Sequence, residues 1–150
     1  MNNPYTLSAA IEYGSKGKIE EWVHIFLRGE GGNIEFSDGL LLQERFYTKP
    51  IMLPLRLFSR CCGPEDNMQF IVDKNCFEEN VRNIHEKFLK GWDMPPLIVN
   101  YSADNGFVVS DGNHRFEMLI RNRYEKYYTI IWTSSKQEFI DMSEKVDICI

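Results

Sequence analysis

The segment Ser110-Asp111-Gly112-Asn113-His114-Arg115-Phe116-Glu117 sets a carboxylate, a glycine, an amide, an imidazole and a guanidinium in direct succession. The apolar run Phe107-Val108-Val109 precedes it, and Phe116, Leu119 and Ile120 follow at helical spacing. A strand, a glycine turn and a helix start in this order make a natural anion site. The first N–H groups of a helix have no partner within it, and the helix dipole is positive there. Gly112 lets the backbone pass close to a ligand. Arg115 can grip a phosphate with two donors, and His114 can add a third. Plainer uses exist for the same side chains. Asp111 can cap the helix, Gly112 can serve the turn, Arg115 can pair with a carboxylate, and Glu117 can face solvent.

The elements that must position this segment are readable from spacing and punctuation. Residues 6–28 carry two apolar stripes, Leu7, Ala10, Ile11 and then Ile19, Trp22, Val23, Phe26, Leu27, so a helical pair broken at Ser15-Lys16-Gly17 is predicted. Gly29-Glu30-Gly31-Gly32 stops the second helix. It lacks the Gly-Lys-Ser/Thr of a phosphate loop and follows a helix rather than a strand, which leaves a lid or a role for Glu30 as the minor reading. A short helix or turn is expected over 37–46. A strand is expected over 51–57, confined to an edge by Pro50 and Pro54. Residues 61–67 read as loop, and Phe77, Val81, Ile84 and Phe88 mark an amphipathic helix ending near Gly91. Leu97-Ile98-Val99 and Phe107-Val108-Val109 flank the turn signal Ala103-Asp104-Asn105-Gly106 as a hairpin. A strand over 127–132, a helix over 135–143 and a terminal strand over 146–150 complete the expectation.

Bulk properties narrow the class. The chain has 150 residues, 43% hydrophobic and 26% charged, as in ordinary globular proteins. It contains no apolar run of about 20 residues and no basic flank leading into an apolar stretch, so a cytoplasmic protein without membrane contact is expected. Cys61, Cys62, Cys76 and Cys149 form no Cys-x-x-Cys pair and have no histidine partners at zinc spacing. Reduced thiols and no metal site are therefore expected. The net charge of −5 disfavours broad nucleic-acid binding, although Arg115, Arg121, Arg123 and Lys126 crowd one stretch. His24 and His85 read as packed or surface histidines, and Trp22, Trp92 and Trp132 as core residues, with base stacking the minor reading.

The order Pro95-Pro96-Leu97-Ile98-Val99, hairpin, Asp111-Gly112-Asn113-His114-Arg115-Phe116-Glu117-Met118-Leu119 and a following strand resembles the ParB/sulfiredoxin-like superfamily. Its members share a Pro-x-x-Val strand, a hairpin and a Gly-x-x-Arg helix start. The resemblance covers residues 50–133. It implies one α+β domain over 1–150: a small mixed sheet with surrounding helices, a helical extension at 1–47, and a C-terminal helix and strand at 134–150. It further implies a pocket in which Gly112, Asn113, His114 and Arg115 hold the phosphates of a nucleotide, ATP, ADP or CTP, with Mg²⁺ a candidate companion. Asn113 stands where sulfiredoxins have their reactive cysteine and cannot act as that nucleophile. Partition proteins of the family add a helix-turn-helix region and a dimerisation domain, neither of which is expected after Trp132. Kinase-like members of the family imply a phosphotransferase or NTPase, for which Asp111 and Glu117 are the candidate catalytic carboxylates. A non-catalytic, nucleotide-controlled or partner-binding module is the alternative, and a nuclease the weaker one. The oligomeric state is left open.

Overall fold

The computed structural model describes residues 3–149. Its helical pair is α1, Leu7–Ser15, and α2, Ile19–Arg28. Thr6 caps α1 by accepting from the Ala9 N–H, and Gly17, with φ of 70°, turns the chain between the helices. Next come α3, Ile34–Leu40, and the strands β1, Phe46–Tyr47, and β2, Ile51–Pro54. After a 3-10 turn over Leu55–Leu57 the chain forms β3, Phe58–Arg60, then β4, Cys62–Gly63, and β5, Phe70–Ile71. The second half runs α4, Lys74–Leu89; β6, Leu97–Ser102; β7, Gly106–Asp111; α5, Asn113–Arg121; β8, Lys126–Thr133; and α6, Lys136–Cys149.

The main sheet is mixed, ordered β1-β8-β6-β7-β3, with β2 also on β8. The hairpin pair β6 and β7 is antiparallel, whereas β6 and β8 are parallel, joined by the crossover through α5. Alternation along β6 and β8 sends side chains to two cores. Leu97, Val99, Tyr101 and Ile131 meet Phe77 and Val81 of α4, Phe116 and Leu119 of α5, and Met142 and Val146 of α6. Ile98 and Ile130 point the other way, onto Trp22, Val23, Phe26 and Leu27 of α2. The sheet is thus covered on both faces, which is why Leu97-Ile98-Val99 is apolar without interruption. No helix among the described residues is long and apolar enough to cross a membrane.

Four expectations are corrected, the first being the loop over 61–67, where Cys62–Gly63 pairs with Phe70–Ile71 as a short second sheet. The third helix spans 34–40 rather than 37–46, because Asn33 accepts from the Phe36 N–H and starts it early. Arg45 closes its far end by donating to the carbonyls of Gly39 and Leu40. The strand expected over 51–57 stops at Pro54, which has no N–H to extend the ladder, and the chain re-enters the sheet as β3 beside β7. The terminal strand expected over 146–150 is the end of α6 through Cys149, held there by Met142 and Val146, four residues apart and both buried; Ile150 lies outside the described residues. All four cysteines are unbridged.

Candidate functional site

The end of β7 and the start of α5 meet as the residue types suggest. Gly112 sits at the helix N-cap with φ of 99°, left-handed backbone that a side chain would strain. A Cβ there would lie 2.7 Å from the Arg115 guanidinium and 3.1 Å from Leu97. No side chain caps α5 or α2, whereas Thr6, Asn33, Asp73 and Ser135 cap α1, α3, α4 and α6. The first turn of α5 therefore keeps its N–H groups for a ligand or water.

That helix start borders a groove of about 280 Å³. Phe26, Glu30 and Gly31 from the N-terminal segment form one wall, and Ile84, Lys87 and Trp92 from α4 and the loop after it form another. Pro95, Asp111, Gly112, His114 and Arg115 complete it. The helix α2, which backs the sheet, thus also walls the site together with the loop that follows it. The Lys87 ammonium lies 4.0 Å from the centre of the Trp92 ring and 3.5 Å from Glu30. Nothing in the sequence marks Lys87 and Phe26 as site residues, and Trp92 carries base stacking only as a minor reading. The three line one groove from α2 and from the α4 segment, which are far apart in sequence, and no local spacing records that. A depression of about 340 Å³ beside α1 and α2 is larger, but Glu12 and Glu21 line it and offset the charges of Lys16 and Lys18.

The expected phosphate residues divide by direction. Arg115 turns inward: one guanidinium nitrogen donates to the carbonyls of Pro95 at 2.6 Å and Pro96 at 2.8 Å, and the other to Asp111 at 3.1 Å. Its burial lowers its pKa from the ordinary value, and Asp111 opposes that shift. Asn113 is also buried. Its side-chain oxygen accepts from the N–H groups of Cys61 and Cys62, and its amide nitrogen donates to the Val109 carbonyl. Both polar side chains are thus engaged by protein partners, while the backbone amides of the same residues belong to the uncapped turn. Asp111 also accepts from Asn33, which ties α3 to the site. Glu117 does not border the groove; its carboxylate is paired with Arg60 at 3.2 Å and Arg121 at 2.8 Å. Among the described residues no group of three or more His, Cys, Asp and Glu is placed to hold a metal ion.

His114 borders the groove with its ring 4.8 Å from that of Phe77. Burial lowers its pKa from the ordinary 6.5, against an opposing pull from Asp111. His24, bonded to Ser37, is lowered by burial as well. Both bind a proton less readily folded than unfolded, so their contribution to stability is complete above pH 6.5 and is lost as pH falls through their lowered values. The melting temperature is expected to drop between pH 7 and pH 5 on this account, and NMR titration should place both midpoints below 6.5. Midpoints at or above that value would contradict the burial described for both rings.

No family model matches the chain, and no curated protein does. Solved structures do match. The C-terminally truncated chromosome-partitioning protein ParB from Caulobacter crescentus, complexed with CTP-γ-S, aligns over 65% of this chain and 53% of its own, with 14% identity and a TM-score of 0.44. A Pnob8-like ParB-N domain aligns over 69% and 36%, with 18% identity and a TM-score of 0.38. The Caulobacter ParB complexed to the centromeric parS site aligns over 65% and 46%, with 11% identity and a TM-score of 0.40. The chain spans about half or less of the length of these proteins. At such identities the likeness is one of fold alone.

Proposed function

We propose that the chain binds a nucleotide, or another small molecule bearing phosphate, in the groove at the start of α5. The observation that carries this reading is the uncapped first turn of α5, entered through left-handed Gly112 and opening beside Lys87 and Trp92. A phosphate at that turn would accept from the backbone N–H groups of Asn113, His114 and Arg115, with Lys87 supplying a charge-assisted bond. ATP, ADP and CTP are the ligands implied by the motif resemblance. A companion Mg²⁺ has no ready set of protein ligands, because the Asp111 carboxylate already serves Arg115 and Asn33.

Turnover is the second reading, favoured by one observation: Asp111 and Glu30 both border the groove. A phosphotransferase needs a carboxylate near the acceptor hydroxyl, and Asp111 is the candidate nearest the phosphate turn. Glu117, paired on the outer side of α5, is poorly placed for that role. Steady release of phosphate from a bound nucleotide would carry this reading; its absence alongside binding would leave a nucleotide-controlled module.

A thermal-shift panel of ATP, ADP, CTP and GTP tests the binding reading. A ligand at about 100 times its Kd adds roughly 2.7 kcal/mol of stability, a readily seen shift. Lys87→Met keeps the stem on Trp92 and removes the charge, and is expected to weaken binding by about tenfold, the worth of one charged hydrogen bond. Its stability without ligand should change little, since an exposed ion pair contributes only about 0.2–1 kcal/mol. No shift with any nucleotide would end the reading.

A further inference from the structure

The groove carries two formal cations and two formal anions. Arg115 and Asp111 neutralise each other, in a bridge whose arginine side chain is 6% exposed and whose aspartate side chain is 14% exposed. Lys87 and Glu30 form the other pair, at 3.5 Å, with side chains 52% and 39% exposed. A phosphate entering the groove therefore meets one cation that can be released, and that cation already has a carboxylate partner.

We infer that Glu30 is an internal competitor for Lys87: its carboxylate holds the ammonium in the free protein and is displaced by the phosphate of an incoming ligand. The inference rests on the binding reading above and deepens it by naming the residue that tunes affinity. Glu30 can be displaced at little cost. Its side chain is already partly in water, and its loop is fixed through backbone bonds that a swing of the side chain leaves intact, from Gly31 to Phe26 and from Asn33 to Leu27. Lys87 stays in place when Glu30 leaves, because the Trp92 ring lies under its ammonium. A dianionic phosphate outbids a single carboxylate for the same ammonium and gains the α5 amides as well, which Glu30 does not contact.

Removing the competitor should therefore tighten binding, modestly, because Glu30 holds Lys87 only through an exposed ion pair. Titration calorimetry with ATP, CTP and inorganic pyrophosphate on the wild type, Glu30→Gln, Lys87→Met and the double variant tests this. Glu30→Gln is expected to bind about two- to fivefold tighter, the range that one exposed pair spans, and to show no gain when Lys87 is already Met. A weaker-binding Glu30→Gln would mean that Glu30 itself contacts the ligand. Unchanged affinity, or a gain that persists without Lys87, would also overturn the inference while leaving the binding reading intact. If neither the wild type nor Glu30→Gln binds any of the three probes, the binding reading and this inference both fail. If only Glu30→Gln binds, the gain exceeds what one exposed pair spans and the binding reading fails for the wild type, so the inference falls with it.

Discussion

Arg115→Ala is expected to lose about 3–5 kcal/mol of stability in urea unfolding, the cost typical of breaking a buried charge pair from one side. The guanidinium is buried, and three acceptors depend on it: the carbonyls of Pro95 and Pro96, and the Asp111 carboxylate. Removal leaves all three short of a donor beside the Phe26 ring, over which the guanidinium sits at 5.5 Å. Arg115→Lys keeps a charge but cannot span the same acceptors, so it should fall between the wild type and the alanine variant. Were Arg115 instead a phosphate grip facing the ligand, its removal would abolish binding at a stability cost under about 1 kcal/mol, as for other replacements away from buried networks. The two roles are separated by a pair of measurements on one variant.

Asn113→Ala is the second large effect, at about 2–4 kcal/mol, since it strands several buried groups together. The Asn113 amide joins the β3–β4 corner to the start of α5 by accepting from the Cys61 N–H at 3.0 Å and the Cys62 N–H at 3.3 Å, and donating to the Val109 carbonyl at 3.3 Å. Asn113→Asp keeps an acceptor but loses the donor to Val109 and buries a charge, so it should be no milder than alanine. Urea unfolding midpoints for the two variants check this. A near-neutral Asn113→Ala would mean that the corner is held by β3 pairing alone.

Both residues sit in the motif at the β7–α5 junction, and their side chains show what a sequence can convey. Residue types and spacing identify the strand, the glycine turn and the helix, because Phe107-Val108-Val109, Gly112 and Phe116-Leu119 are local signals. The direction of Arg115 is not local: it follows from two prolines twenty and nineteen residues earlier, whose carbonyls face the space below Gly112. Burial of Asn113 depends likewise on Cys61 and Cys62, some fifty residues away. Helix spacing finds α2 and α4, yet it cannot say that Glu30 and Lys87 meet, since they come together only when both helices dock around the sheet. The end of the chain misleads for a simpler reason. Val146-Asp147-Ile148-Cys149-Ile150 alternates like a strand, but Val146 also continues the helical face of Met142, and burial of that face decides.

The most direct test of the central claim is a two-dimensional amide NMR titration of the wild-type protein with ATP and with CTP. Backbone amides at the α5 start are the proposed phosphate ligands, so saturable shifts are expected at Asn113, His114 and Arg115, with smaller ones at Gly31, Lys87 and Trp92 around the groove. Saturable shifts that leave the amides of residues 112–115 unmoved, or none at all at millimolar nucleotide, would contradict the account.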